Sequence, residues 1–175
     1  MTEIKGNSVD TLKYYAPLLL LPAVNVVQTV LLKEEMVLLG NAKQLLFMFL
    51  WVCVEEVVFR KVVPIFLEKC TSINVKKRCL IEAAVFALAH LLNLTRGDMI
   101  ADVAVQMVFA FGIGYVFAAL VKRNKSILPC IAIHFLLNAT GSTADILSTT
   151  VFWNVIWCVL AVGCLSYGYY LLRKE

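Results

Sequence analysis

Two adjacent carboxylates, Glu55 and Glu56, directly follow the apolar run LLFMFLWVCV, and Arg60 stands four residues after the second. In a soluble protein a Glu-Glu pair carries little meaning. Here it means more, because an acidic or basic side chain at the centre of a spanning helix costs about 2.5–3.5 kcal/mol on insertion scales. Such groups must be paired, protonated or turned to a wet cavity. Residues four apart share a helix face, so Glu56 can form an intrahelical ion pair with Arg60. Glu55, five positions from Arg60, points elsewhere. The spacing thus assigns Glu56 a structural role and leaves Glu55 free for chemistry.

His90 and His134 are the only histidines, and both lie in apolar segments. Asn138 follows His134 by four residues and shares its face; Phe86 precedes His90 by four and can pack beneath its ring. At 1.5 Å per residue, Glu55 lies about 16 Å from the outer end of its segment. His90 and His134 lie about 16 and 11 Å from the basic ends of theirs. All three depths fall near the middle of a bilayer core roughly 30 Å thick.

A carboxylate beside an imidazole can take a proton from water, the general-base step of hydrolysis. A second imidazole and a carboxamide on one face can donate hydrogen bonds to a developing oxyanion. No side-chain nucleophile is evident, since Thr140, Ser142 and Thr143 lack a base at helical spacing. Three other readings stay open. His90, His134 and a Glu could hold zinc, although no HExxH and no ligand pair at i, i+4 is present. The groups could form a purely structural charge network, or a proton-coupled transport site, although inverted repeats are lacking.

The elements that must position these groups are hydrophobic helices. The chain has 175 residues, 61% hydrophobic and only 16% charged, where a soluble domain carries about a quarter charged residues. About six spans are expected, at residues 14–32, 44–59, 79–94, 99–121, from 127 to between 138 and 147, and 151–172. With six spans, one side collects the Lys and Arg residues from Lys5 to Lys174, save Lys33, Lys43 and Arg96 on the other side and Arg60 within the second span. That bias gives an N-in, C-in topology. The second connection, residues 61–78, reads as a basic loop touching anionic lipid, with the apolar stretch around Pro64 either extending the helix or lying along the interface. Asp98, Asp102 and Asp145 read as boundary residues. The net charge of +4 is too small and scattered for nucleic-acid binding. Six cysteines form no CxxC pair, which argues against a disulfide framework or zinc ribbon. The first apolar run lacks a cleavage site and reads as a retained span. Residues 1–175 therefore read as one all-α polytopic membrane domain.

Glu55-Glu56-Val57-Val58-Phe59-Arg60 reads EExxxR, Phe86 to His90 reads FxxxH, and His134 to Asn138 reads HxxxN. In this order, on hydrophobic segments, they resemble the motifs of the CAAX protease and bacteriocin-processing (CPBP, or Abi) family. That family is a group of glutamate-type intramembrane peptidases related to the type II CAAX prenyl endopeptidase. The motif core covers residues 55–138. The resemblance implies that Glu55 and His90 activate a water, that His134 and Asn138 form the oxyanion site, and that Glu56 and Arg60 organise it, with no cofactor. Members once labelled metalloproteases keep zinc as the minority alternative. The expected partners are a peptide or protein substrate and the lipid bilayer of a bacterial plasma membrane. A chain this short could need a second copy to close its cavity. The expected substrates are bacteriocin or pheromone precursors or CAAX-like peptides, and bacteriocin self-immunity without proteolysis is the alternative role.

Overall fold

The computed structural model describes residues 13–142 and 151–173. Among these the chain is an all-α bundle; its one extended pairing is an isolated bridge between Met36 and Ser142. Thr143, Asp145, Lys5 and Lys174 lie outside the described residues.

A 3-10 turn at Ala16–Leu19 opens with Pro17, whose missing N–H has no partner to lose there, and leads into α1, Leu20–Leu31. The second segment starts as α2, Ala42–Val57, with the Asn41 side chain accepting from the Lys43 N–H at 2.8 Å. Its continuation differs from the expected loop. The helix widens into a π segment at Val58–Val62, where the Val63 N–H reaches back to the Val58 carbonyl, and carries on as α3, Val63–Cys70. Pro64 has no N–H to donate, and its ring would press on the carbonyl four residues earlier. Widening the preceding turn accommodates both problems without ending the helix. Of the two readings for the stretch around Pro64, the helix extension is therefore correct. The basic residues of this region sit on helices joined by only a short link.

α4, Val75–Ala89, begins at an Asn74 cap that accepts from the Lys77 N–H at 3.0 Å. At His90 the helix tightens into a 3-10 stretch, His90–Arg96, closed by Gly97 at φ 96°. There follow α5, Ile100–Asn124, ending at Lys125 in the left-handed region, then α6, Leu128–Ala139, and α7, Val151–Arg173. Each expected span therefore coincides with helix, but the lengths are unequal. Val75–Arg96, Ile100–Asn124 and Val151–Arg173 are long and apolar enough to cross a membrane, whereas Ala16–Leu31 and Leu128–Ala139 are shorter. The continuous helical stretch through α2 and α3 is long enough, but Glu55, Glu56, Arg60 and Lys61 break its apolar run.

The core forms around α5, whose residues 112–120 are all buried between α4 and α7. Small residues let backbones approach. A Cβ on Gly112 would lie 2.6 Å from the Ala161 carbonyl oxygen on α7, and one on Gly168 would meet the Tyr115 ring at 2.8 Å. Hydrogen bonds tie α1 to its neighbours: Asn25 Nδ2 donates to the Leu137 carbonyl at 2.7 Å, and Trp157 Nε1 to Gln28 Oε1 at 2.6 Å. α2 packs on α6 around buried Val52, Ile127 and Ile131. Large apolar side chains such as Leu46, Phe47, Phe66 and Phe152 remain exposed on the outside. That arrangement suits lipid as the surrounding solvent, with backbone polar groups satisfied within the helices.

Candidate active site

The site forms where α2 and its π segment face α6 and the end of α4. Glu56 is fully buried, and both its carboxylate oxygens are occupied. Oε2 accepts from Arg60 Nε at 3.1 Å, and Oε1 accepts from His134 Nδ1 at 2.9 Å. The expected Glu56–Arg60 pair is thus present, with both side chains shielded from solvent. The bond to His134 was not foreseen, because spacing within one helix says nothing about partners on another.

Glu55 is half-buried and differently placed. Its Oε1 accepts from the indole N–H of Trp51, one turn earlier, at 2.7 Å. Its Oε2 lies 3.6 Å from His134 Nε2, too long for a direct hydrogen bond. The nearest imidazole to Glu55 is therefore that of His134, whereas the resemblance joined Glu55 with His90. No direct hydrogen bond joins Glu55 to His90, although Glu55 and His134 are the charged or titratable groups that face the His90 ring.

Hydrogen-bond direction fixes the tautomers. A carbonyl and a carboxylate can only accept, so His90 Nδ1, 3.0 Å from the Phe86 carbonyl, carries a proton, as does His134 Nδ1 against Glu56. In their neutral forms both rings then hold their basic lone pair at Nε2. The Phe86 ring links them, edge-on to His90 at 5.1 Å and to His134 at 5.9 Å. It also contacts Phe59 at 5.1 Å and lies 4.9 Å from the Arg60 guanidinium, which has Phe117 at 5.7 Å.

Asn138 is half-buried one turn beyond His134, and its side chain makes no hydrogen bond among the described residues. Thr140 directs its hydroxyl to the Leu136 carbonyl at 2.8 Å, which commits it to its own helix. Asp98 lies in the link just before α5 and Asp102 in its first turn, as boundary residues should. Among the described residues no group of three or more His, Cys, Asp or Glu side chains is arranged so that it could hold a metal ion. Two neighbours of the site escaped sequence reasoning. Trp51 stands four residues before Glu55, and Glu82 four before Phe86; each carried the signal of i, i+4 spacing.

The family model for the type II CAAX prenyl endopeptidase Rce1-like family matches residues 39–140. The match takes in all three motif segments and more than half of the chain. No curated protein and no solved structure matches it. With the apolar helices already described, the match identifies an integral membrane protein that belongs to the Rce1-like family of CAAX-type membrane proteases.

Proposed function

We propose that this chain hydrolyses a peptide bond within the membrane, with water as nucleophile and Glu55 as its general base. One observation carries the assignment. Both oxygens of Glu56 are committed, to Arg60 and to His134, whereas Glu55 Oε2 has imidazole nearby but no direct hydrogen bond. A base needs an oxygen open to the water it deprotonates, and Glu55 Oε2 is the oxygen of the pair left without a donor.

In this scheme the water lies between Glu55 and the Nε2 of His90. Its oxygen bonds to the peptide carbonyl carbon while its proton passes to Glu55. The carbonyl oxygen becomes an oxyanion, which a protonated His134 Nε2 and the Asn138 amide stabilise as donors. Glu55 returns the proton to the departing amine as the C–N bond breaks. Glu56 holds the His134 ring by its Nδ1–H, so that Nε2 points into the site. No cofactor takes part.

The substrate in this reading is a small peptide, such as a bacteriocin or pheromone precursor, or a CAAX-like tail. The enzyme sits in a bacterial plasma membrane with both termini inside, on the strength of the Lys and Arg bias. The test is processing of such peptides in liposomes by the wild type and Glu55→Gln. The amide keeps the shape but not the basicity, so cleavage should fall at least about 100-fold. Wild-type rates in Glu55→Gln would overturn the assignment, and protection against a bacteriocin that survives the substitution would favour immunity without proteolysis.

A further inference from the structure

Where α3, the start of α4 and the end of α5 meet, at the helix ends that carry most of the basic residues, lies a cavity of about 270 Å³. Lys61, Arg78, Lys122 and Lys125 border it, together with two carboxylates, Glu68 and Glu82. Arg60 adjoins it too, but its guanidinium is sealed from solvent and paired with Glu56, so it offers the cavity no donor. Arg78 and Lys122 both turn to a single oxygen, Glu68 Oε1. Arg78 engages it through Nη1 alone, which leaves Nε and Nη2 to spare. Lys122 Nζ approaches it only to 3.7 Å, beyond hydrogen-bond length, and so keeps all three of its donors.

We propose that this cavity holds the phosphate of an anionic phospholipid, with Arg78 and Lys122 as its principal donors. The inference goes beyond the proteolytic reading and does not depend on it.

Four cations against two carboxylates leave the wall net positive, and Glu68 can neutralise only one of the two cations drawn to it. The Arg78 side chain is only 16% exposed. Donors so covered are costly to leave unpaired, and an anion in the cavity relieves that cost. A phosphate suits the role, because a guanidinium can present two parallel N–H bonds to its oxygens while an ammonium adds a point charge. Two features favour a lipid over a soluble phosphate as its source. The cavity lies at the helix ends that the Lys and Arg bias assigns to the cytoplasmic leaflet, whose surface is anionic. Its wall is also partly apolar, through Pro64, Ile65 and Val75. Ile65 is at the same time 53% exposed on the outside of α3, so glycerol and acyl chains can leave the cavity along a lipid-facing surface. Glu82 opposes an anion. It is only 5% exposed and lies one helical turn beyond Arg78, farther from the basic end of α4, so its charge weakens the site without filling it.

The full chain in a neutral detergent, titrated with dioleoyl phosphatidylglycerol and followed by native mass spectrometry, should take up a single lipid in preference to phosphatidylcholine. A cation facing anionic lipid strengthens binding about five-fold, so Arg78→Gln with Lys122→Gln should weaken uptake roughly 25-fold. Lys69→Gln with Lys77→Gln removes the same charge from exposed positions outside the cavity, where screening is strong, and should cost less than about 3-fold. Glu82→Gln removes the opposing charge and should tighten uptake. Equal weakening by the two pairs would reduce the effect to diffuse attraction and overturn the site. So would equal uptake of the two lipids, or weaker uptake in Glu82→Gln. If the Arg78→Gln, Lys122→Gln pair does not fold, Lys122→Gln decides alone, a loss of about five-fold being expected and unchanged uptake overturning the proposal. Millimolar inorganic phosphate should leave the bound phosphatidylglycerol in place. Its displacement would make the cavity a site for free phosphate and overturn the lipid. None of these readouts needs substrate, so their failure is separable from failure of the Glu55 assignment.

Discussion

Replacing Arg60 with methionine removes the guanidinium bonded to Glu56 while leaving an apolar side chain against Phe86 and Phe117. Breaking a buried ion pair from one side costs about 3–5 kcal/mol, because the surviving charge stays desolvated. Glu56 still accepts from His134 Nδ1 at 2.9 Å, and a protonated imidazole there compensates part of the loss. The expected cost is therefore near the lower end, about 3 kcal/mol, or roughly 100-fold in the folding equilibrium. Adding Glu56→Gln removes the uncompensated charge, while the amide oxygen can still accept from His134. The double variant should regain at least about half of the loss, since deleting both partners of a buried pair is often near neutral. Reversible unfolding in mixed micelles, followed by tryptophan fluorescence, measures all three. Arg60→Met within about 0.5 kcal/mol of wild type, or a double variant no better than the single, would refute the claim that this pair is a desolvated unit.

Trp51→Phe removes the indole N–H that holds Glu55 Oε1 but keeps a ring at an exposed position. Peptide cleavage should slow about 3- to 10-fold with folding stability unchanged, and an unaltered rate would show that Trp51 does not orient the base. Gly112→Ala would drive a Cβ against the Ala161 backbone, which cannot swing aside, so a loss of about 1–3 kcal/mol is expected. Gly163→Ala is the matched control on the facing helix, with open space around its Cβ; it should be neutral or stabilising in the same unfolding assay.

What the sequence made legible is what one helix can encode. Apolar length located the helical segments, and i, i+4 spacing placed Glu56 on Arg60. The relations between helices were not legible, because they depend on how each helix is rotated about its axis. The π segment at Val58–Val62 changes that rotation for everything after it, and Pro64 alone did not distinguish a widened turn from a break. For the same reason the ring nearest Glu55 proved to be that of His134. Glu82 was passed over because a lone carboxylate among basic residues on a helix reads as a solvated charge. Only the approach of α3 and α5 encloses it.

Arg60 would have one more consequence in any membrane that holds a proton gradient. A chain of ionisable groups running inward from a basic surface invites protons to hop along it and dissipate the gradient. Guanidinium does not give up its proton at any physiological pH. Bonded to Glu56 and walled by Phe86 and Phe117, it contributes its charge while refusing to hand on a proton. The arrangement works as an insulator through which a field can pass, so the proposed water chemistry in the membrane interior need not open a leak beside it.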